Sequence, residues 1–579
     1  MEETPLVIAS KNGNLNEVSY LIEVAKADVG QQCNFRVDNI QFHGSPLHAA
    51  IIGGQLEVVY YLVKCCDLNI NAQAKAVVNR DSFGGSTALH LSVMLLCGDV
   101  QKNIISCLLE HGADWTIIND MGEQCWELTS NAELAKLFIQ FGVGLDSSEN
   151  AKSFNIAHMW AKRALDNFAD EVVALAIEKG VNINEPDIDG LTPLMFAAIG
   201  ESGLPNLEVF EMIFDQKVQP ISRFDRIIAL ELIGATYISN DLFNNTFLIT
   251  GFNYLKMAME LRFNVESEPP IPKPPTPLTE EAKIAFKNTY EFENMEELEN
   301  IAADLHSLRV QAHLIRIRIL GLKHSETMRC LISYAIFIWN LKPQLFLNYG
   351  KLILKNFDFD SSEISWIDCC SKLFALSEVA ITRVSNGMVV DEEISTFKNA
   401  MPFLDKYVSL LESESTPCSI SFLLYRIVNL VHEMLNDKSL TSQESLELKR
   451  CLRRAVRLQK RSTDEGFDLF LLACSDCCVI SPSVESECSD GTAQPHSIYY
   501  RRPVSAKTIS IFIEVGCDLD SVDNNGDTGL HILASNCSPH QCTSSIRMLY
   551  EAGVRLDQTN SEGKTMVDVL RERGIEILN

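Results

Sequence analysis

The sequence has few basic residues relative to acidic ones and no long apolar run. Lys and Arg number 49 against 77 Asp and Glu, which gives a formal net charge of -28 over 579 residues. This charge repels phosphate backbones and anionic lipids, so we expect no nucleic acid and no membrane as ligands, and basic partners are favoured. The most apolar run, residues 331–339, is far shorter than the roughly 20 residues that a membrane-spanning helix needs.

Signs of secretion and of a disulfide framework are also missing. The chain starts with the acidic segment Met1-Glu2-Glu3-Thr4-Pro5, which lacks the basic and apolar regions of a signal peptide. The 18 cysteines are scattered, and several, such as Cys107, lie in apolar helical patterns. This use of cysteine is typical of reduced thiols, so we predict a cytoplasmic protein and leave a nuclear location open.

No residue pattern points to catalysis. Gly563-Lys564-Thr565 is similar to the end of a phosphate-binding loop, but Gln558 stands where that motif needs a glycine. Ser/His/Asp arrangements and glycine-rich nucleotide motifs are not found in a suitable context. We therefore predict a protein that is not an enzyme and that has no cofactor.

A cysteine cluster leaves zinc binding open as an alternative. It could supply thiolate and imidazole ligands from Cys474, Cys477, Cys478, Cys488 and His496. A single CxxC in a Ser-rich insertion is a weak signal, so we expect no metal there.

An internal repeat is present. Its starts share a Thr/Ser-x-Leu pattern, as in Thr4-Pro5-Leu6, Ser45-Pro46-Leu47-His48, Thr87-Ala88-Leu89-His90 and Thr192-Pro193-Leu194. A second helical pattern and a glycine follow, which together define the ankyrin unit. Thr caps the first helix, Pro fits its first turn, and Gly ends the second helix. The histidines His48, His90 and His531 are predicted to make structural hydrogen bonds.

The repeats form two blocks with a different region between them. Residues 122–146 and 155–184 keep the second helix but lose the Thr-Pro-Leu-His start, so they are predicted to be degenerate repeats. We predict ankyrin repeats in residues 1–224 and again in 463–579, the latter with a Cys/Ser-rich insertion. Residues 225–462 show long helices without fingers, and Gly234 and Tyr237 are spaced as in a tetratricopeptide-like pair. The predicted fold class is all-α, an ankyrin solenoid with a tetratricopeptide-like helical middle domain and a second short ankyrin block.

Two segments of the chain have open interpretations. Prolines in residues 268–278 predict a semi-rigid surface loop in the middle domain, with a ligand for an aromatic groove as the alternative. The basic run 449–461 predicts a solvated helix face that packs through Leu448, Leu452 and Val456. It could instead attract an acidic partner or the chain's own acidic surface.

The order of these parts resembles that of the Fem (feminisation) family. Further matches lie in residues 226–235, 254–263, 297–301, 314–321 and 523–526. The resemblance implies a substrate-recognition subunit of a cullin-RING ubiquitin ligase, whose ankyrin groove captures C-terminal degrons that often end in Arg. It also implies elongin B/C and cullin-two as partners, which bind through a C-terminal box, and ubiquitin transfer by other subunits.

We find no elongin box after the last ankyrin helices, and we therefore expect the chain up to Asn579 to capture substrates but to dock poorly to the ligase. Residues 448–456 are superficially similar to such a box but precede the second ankyrin block. An ankyrin scaffold that assembles partners without ligase coupling is the alternative function.

The partner is expected to lie against the ankyrin fingers and groove, because fingers and first helices line the concave face of such an array. A terminal Arg should bind better than Lys, since its planar guanidinium suits carboxylates. Solvated finger tips are the alternative. The predicted contact residues are Asp38, Phe42, Asp81, Phe83, Asp114, Trp115 and Asp120.

Overall fold

The computed structural model describes residues 3–37, 40–76, 84–145, 154–201, 203–240, 245–263, 268–338, 341–356, 396–412, 420–436, 440–460, 466–475, 478–481, 498–501, 504–536 and 539–573. Most of these residues are α-helical, which confirms the all-α class. The chain forms two compact units, Met1–Pro274 with Phe292–Ile315, and Pro275–Glu291 with Arg316–Asn579. The three sequence segments with boundaries at 224 and 462 stay a prediction.

The elements of the ankyrin-type region are, in chain order, α1 (Pro5–Asn12), α2 (Leu15–Glu23), β1 (Cys33–Val37), β2 (Ile40–Gly44), α3 (Pro46–Ile52), α4 (Leu56–Cys65), β3 (Gln73–Ala76), β4 (Ser86–Thr87), α5 (Ala88–Leu95), α6 (Gly98–Glu110), a 3-10 helix (Cys125–Leu128), α7 (Ala132–Gln140), α8 (Ile156–Lys162), α9 (Ala169–Glu178), α10 (Pro193–Ile199) and α11 (Leu207–Phe214). Longer helices follow, α12 (Arg223–Asn240), α13 (Asn245–Phe263), α14 (Glu280–Ala285), α15 (Met295–Ile301), α16 (Leu305–Leu320), α17 (Ser325–Ile338), α18 (Pro343–Asn356), α19 (Thr396–Glu412), α20 (Ile420–Asn436) and α21 (Ser442–Arg457). The last elements are α22 (Leu469–Cys474), β5 (Cys478–Ser481), β6 (Ile498–Arg501), α23 (Ala506–Val515), α24 (Gly529–Asn536), α25 (Pro539–Glu551) and α26 (Met566–Glu572).

The helices of the first unit form two layers. The first helices of successive repeats contact one another in the order α1, α3, α5, the 3-10 helix, α8 and α10, while α2, α4, α6, α7, α9 and α11 form the other layer. Apolar side chains between the layers are buried. Each repeat therefore adds one pair of helices to a core that grows along one axis, as in an ankyrin solenoid.

Local sequence explains how these helices start and end. In α1 the Thr4 hydroxyl accepts a hydrogen bond from the Val7 N–H, and Pro5 occupies the first turn. Gly13 ends this helix in the left-handed conformation at a φ of 78°. These contacts confirm the predicted roles of Thr, Pro and Gly in the repeat.

The first fingers pair into an antiparallel sheet in the strand order β1-β2-β3-β4. In this sheet Phe35 lies opposite Phe42, which in turn lies opposite Ala76. The rings of Phe35 and Phe42 stack with centroids 5.8 Å apart. The sheet therefore ties consecutive repeats together through main-chain hydrogen bonds.

After the repeats, α12 and α13 pack closely against each other. A Cβ atom added at Gly234 would lie 2.9 Å from the Gly251 carbonyl oxygen, and one added at Gly251 would lie 2.7 Å from the Gly234 carbonyl oxygen, so both positions need glycine for this approach. The Tyr237 and Tyr254 rings stack nearby, with centroids 5.9 Å apart. The Gly and Tyr spacing noted in the sequence thus reflects a tight helix pair.

The proline-rich residues 268–278 lie against this part of the chain. Arg262 Nη1 donates to the Ile271 carbonyl at 2.8 Å, and the Ile271 N–H donates to the Arg262 carbonyl at 3.1 Å. Lys273 Nζ donates to the Phe292 carbonyl at 2.9 Å. Several of the prolines remain exposed, so the segment is an anchored surface loop, as predicted.

In the second unit α17, α18 and α19 pack in sequence, and α14 packs on α18. A second two-layer stack follows, with α20, α22, α24 and α26 in one layer and α21, α23 and α25 in the other. The strands β5 and β6 form an antiparallel hairpin. Ankyrin-type helix pairs therefore recur in this unit.

The described residues contain neither a membrane-spanning helix nor a cluster of metal ligands. No helix there is long and apolar enough to cross a membrane. No group of three His, Cys, Asp or Glu side chains there could hold a metal ion. Cys477, Cys488 and His496, which belong to the possible zinc cluster, lie outside the described residues.

Candidate peptide-binding fingers of the first ankyrin unit

Buried histidines hold the fingers of the first unit to the helices. His48 Nδ1 accepts the Ser45 N–H at 3.1 Å, so the ring hydrogen must be on Nε2, which donates to the Ala72 carbonyl at 3.0 Å. His90 makes the same pair of bonds to the Thr87 N–H and to the Glu123 carbonyl. Each histidine therefore links the start of one repeat to the next finger, which confirms their predicted structural use.

Burial keeps these rings neutral. It lowers the pKa of His48 to about 4, although the hydrogen bond to the Ala72 carbonyl acts in the opposite direction. Burial lowers the pKa of His90 as well. In the second unit His531 Nε2 donates to the Lys564 carbonyl at 2.9 Å, so the same link recurs there.

One further histidine of this kind was missed in the sequence. The Asn155 N–H donates to His158 Nδ1 at 3.2 Å, and His158 Nε2 donates to the Glu185 carbonyl at 3.1 Å. Burial lowers the pKa of His158 to about 4. Asn155 therefore replaces the usual Thr. Residues 155–158 form the start of a repeat, although they do not match the Thr-Pro-Leu-His pattern. The spacing Asn-x-x-His was the available signal.

Two fingers end in turns of the same construction. Asn119 Oδ1 accepts the N–H groups of Met121 and Glu123, at 3.0 and 2.9 Å. Asp187 Oδ1 accepts those of Asp189 and Leu191, at 3.0 and 2.8 Å. The carboxamide or carboxylate at the base thus fixes the finger backbone, and the residues between these bonds form the tip.

The tips present carboxylates beside apolar side chains. In the first of these fingers Asp120 is exposed next to Met121, which is 48% exposed, and Ile118 is 54% exposed. In the second, Asp189 is exposed next to Ile188, which is 70% exposed. Such tips can bind a cation together with an apolar group of a peptide. We call Asp120, Met121, Ile188 and Asp189 the tip residues.

The predicted contact residues fall into different environments. Asp120 is an exposed tip residue, and its N–H donates to the Gly84 carbonyl of the preceding finger at 2.9 Å. Asp114 is half-buried and accepts hydrogen bonds from the N–H and hydroxyl of Thr116, at 2.9 and 2.6 Å. Trp115 beside it is also half-buried.

Phe42 is only 2% exposed, so its ring packs inside the sheet; a contact with a partner through this ring stays a prediction. Asp38, Asp81 and Phe83 lie outside the described residues. Among the described members of the set, the structure brings Asp120 alone to an exposed position.

An aromatic cluster joins three consecutive repeats and was not foreseen. Phe154 stacks on Trp126 and on His158, with centroids 6.4 and 5.2 Å apart, and meets the edge of Phe196 at 5.5 Å. Phe154 and Phe196 are half-buried. Trp126, Phe154 and Phe196 are far apart in sequence, so only the stacking of repeats brings them together.

Ankyrin repeats are also found by comparison with family profiles. Ankyrin-repeat family profiles match residues 1–74, 84–120 and 161–214. A crystal structure of an ankyrin repeat protein, 17% identical, aligns over 38% of this chain and 100% of that chain with a TM-score of 0.29. The chain is an ankyrin-repeat protein.

Curated relatives of this chain include several fem-1 homologues. Protein fem-1 homolog C of Homo sapiens is 26% identical over 406 residues, which are 68% of this chain and 59% of the relative. Protein fem-1 homolog A-like of Mus musculus is 24% identical over 619 residues, which cover 98% of this chain and 86% of the relative. These matches support membership of the Fem family of ankyrin-repeat proteins. It spans 59% of the length of fem-1 homolog C.

Proposed function

We propose that this protein is the substrate-recognition subunit of an elongin/cullin-two RING ubiquitin ligase and that its ankyrin fingers bind the C-terminal degrons of target proteins. The observation that carries the proposal is the pairing of an exposed carboxylate with an exposed apolar side chain on two fingers, Asp120 with Met121 and Asp189 with Ile188. The fixed turns below the tips and the buried histidines hold these groups in place, so little conformational entropy is lost on binding.

A C-terminal Arg is the side chain that this surface should favour. Its guanidinium is always charged and offers planar donors to a carboxylate, whereas the ammonium of Lys is a compact and strongly hydrated charge. A hydrogen bond to a charged group contributes about 1.5–3 kcal/mol where it is buried, and an exposed ion pair contributes about 0–1 kcal/mol. Because Asp120 and Asp189 are exposed, discrimination depends on how far the bound peptide covers them.

The proposal is tested with peptides that end in Arg, Lys or Ala and are otherwise identical. We expect affinity to fall in that order, and the double substitution Asp120→Asn/Asp189→Asn should weaken binding of the Arg peptide about tenfold. The matched control is Glu110→Gln/Glu178→Gln, which removes the same charge from exposed ends of α6 and α9. Equal affinities of the wild-type protein for the Arg and Ala peptides would refute recognition of Arg.

Coupling to the ligase requires a separate measurement. The side chains of Leu448, Cys451 and Leu452 are buried within the second unit, which favours a packing role for residues 448–456 over a role as an elongin box. Co-purification of elongin B/C and cullin-two with residues 1–579 would support the ligase role and would contradict the expected poor docking of this chain. Peptide binding without elongin B/C would instead favour the ankyrin scaffold.

A further inference from the structure

Helix α21 in the second unit carries a dense set of cations, and two of them bind carboxylates of the same unit. Arg454 contacts Asp405 and Glu412, each at 2.6 Å. Lys449 contacts Glu514 at 2.6 Å. These ion pairs agree with the expectation that part of the basic run attracts the chain's own acidic surface.

The other cations of this region do not form such pairs. Arg450, Arg453 and Arg457 are exposed, and they have no ion pair or hydrogen bond within the part of the chain that the structure describes, nor has Lys460 just beyond the helix. The three arginines are spaced three and four residues apart, which places them on one stripe of the helix. We call these four residues the basic ridge.

A chain with a net charge of -28 supplies an excess of carboxylates that could neutralise surface cations. Four neighbouring cations that have no such partners among the described residues therefore form a local region of positive charge on an acidic protein. Like charges on adjacent turns repel one another, so the arrangement costs stability unless an anion binds there.

A cleft lies beside the basic ridge, and cations of the ridge form part of its walls. Its volume is about 670 Å³, and its walls include Arg453, Arg457 and Lys460. Leu469 and Phe470 also border the cleft but are only 4% and 1% exposed, so the half-buried Val456 supplies its apolar surface. The cleft thus combines three cations with a small apolar patch.

The carboxylates of the cleft are already engaged by backbone groups. Asp468 Oδ1 accepts the N–H groups of Phe470 and Leu471, both at 2.9 Å, where it caps α22. Asp518 Oδ1 accepts the Asp520 N–H at 3.1 Å. Neither carboxylate forms an ion pair with the ridge among the described residues, so the cations of the cleft remain available to a ligand.

We propose that the basic ridge and its cleft bind a short acidic peptide segment in which carboxylates alternate with apolar side chains. Charge complementarity selects the acidic groups, and the side chain of Val456 can contact an apolar side chain between them. A short segment fits better than a whole acidic protein or a nucleic acid, because the field of the entire chain repels a large polyanion. This site is independent of the fingers, whose carboxylates select cationic ligands.

The test uses the full-length protein and amidated octapeptides. One peptide alternates Glu with Phe, a second alternates Gln with Phe, and a third alternates Lys with Phe. We expect the Glu/Phe peptide to bind at least tenfold more tightly than the Gln/Phe peptide in 50 mM salt, and this difference should decrease as salt is raised. The Lys/Phe peptide should not compete with the Glu/Phe peptide.

The variant Arg453→Gln/Arg457→Gln should weaken binding of the Glu/Phe peptide roughly tenfold. Gln keeps the helix propensity of Arg, so α21 should still form. Its matched control is Arg547→Gln/Arg571→Gln, which changes the net charge equally at two exposed positions on α25 and α26. This control should bind the peptide as the wild type does.

The proposal is overturned if the Glu/Phe and Gln/Phe peptides bind equally or if the two double variants lose affinity to the same extent. It is also overturned if single-stranded oligothymidylate binds the wild type more tightly than the Glu/Phe peptide and loses this binding in Arg453→Gln/Arg457→Gln, because the ridge would then be a nucleic-acid site.

Discussion

The ion pair between Glu231 and Arg262 should be a major determinant of the stability of the α12–α13 pair. Arg262 Nη2 lies 2.9 Å from Glu231 Oε1, and the two side chains are 0% and 1% exposed. Lys273 Nζ lies 3.9 Å from the same carboxylate oxygen. Because Arg262 also donates to the Ile271 carbonyl, the pair connects both helices to the proline-rich loop.

Replacement of Glu231 by Leu removes the anion and leaves Arg262 and Lys273 buried without it. Loss of one partner from a buried pair typically costs 3–5 kcal/mol, and we expect about 4 kcal/mol for Glu231→Leu. The substitution Arg262→Met should cost less, because Lys273 remains close to Glu231. In the double variant Glu231→Leu/Arg262→Met an apolar pair replaces the ionic one, so its cost should be well below the sum of the two single costs.

Hydrogen exchange measured by mass spectrometry suits this prediction, because it reports the opening of the α12–α13 pair separately from that of other helices. Peptides from α12, α13 and residues 268–278 should lose protection together in Glu231→Leu, while peptides from α3 and α5 should not change. A loss of opening free energy below about 1 kcal/mol in Glu231→Leu, or additive costs in the double variant, would contradict the reasoning.

Two further predictions concern the first ankyrin unit. Burial holds the pKa of His48 and of His158 at about 4, below the value of 6.5 for the unfolded chain. The contribution of the neutral rings to folding stability is therefore complete above pH 6.5. The free energy of unfolding should fall by up to about 3 kcal/mol per histidine as the pH drops to 4. Urea midpoints at pH 7 and pH 4.5 measure this loss, and Gln at both positions should reduce the pH dependence. The substitution Gly53→Ala would place Cβ 2.3 Å from the Lys11 carbonyl oxygen and should lower the free energy of unfolding, measured by thermal unfolding, by about 1–3 kcal/mol. For Gly30→Ala the nearest atom is 3.4 Å away from the new Cβ, so the free energy of unfolding should change by no more than about 0.5 kcal/mol.

If NMR showed that His48 or His158 titrates near its ordinary pKa in the folded protein, the first of these two predictions would be wrong. Equal unfolding temperatures for the two glycine variants would contradict the second, because both positions exchange the same hydrogen for a methyl group.

Most features that could be read from the sequence depend on residues close to one another in the chain. The Thr4 hydroxyl caps α1 through the N–H of Val7, three residues away, and the Thr87 hydroxyl accepts the N–H of His90 in the same way. Sequence patterns over such short spans predict structure well, because few other groups can compete for these hydrogen bonds. The repeat starts, the surface loop at 268–278 and the helical class were therefore predictable.

The start at Asn155 and His158 shows where a pattern based on residue names is too narrow. The repeat requires an acceptor that caps the helix and an N–H that reaches the imidazole, and Asn supplies both. A search for Thr-Pro-Leu-His overlooks this start although its physical requirements are met.

By itself the sequence determined the repeat class, the caps and the histidine links, because each depends on local hydrogen bonds and on apolar periodicity. Only the tertiary structure decided that Phe42 is buried in the sheet while Asp120 is exposed at a tip, and that Arg454 is paired while Arg453 is not. These differences arise because burial and ion pairing depend on which distant elements pack against a residue, and neighbouring positions of the same chemical type can face different surroundings.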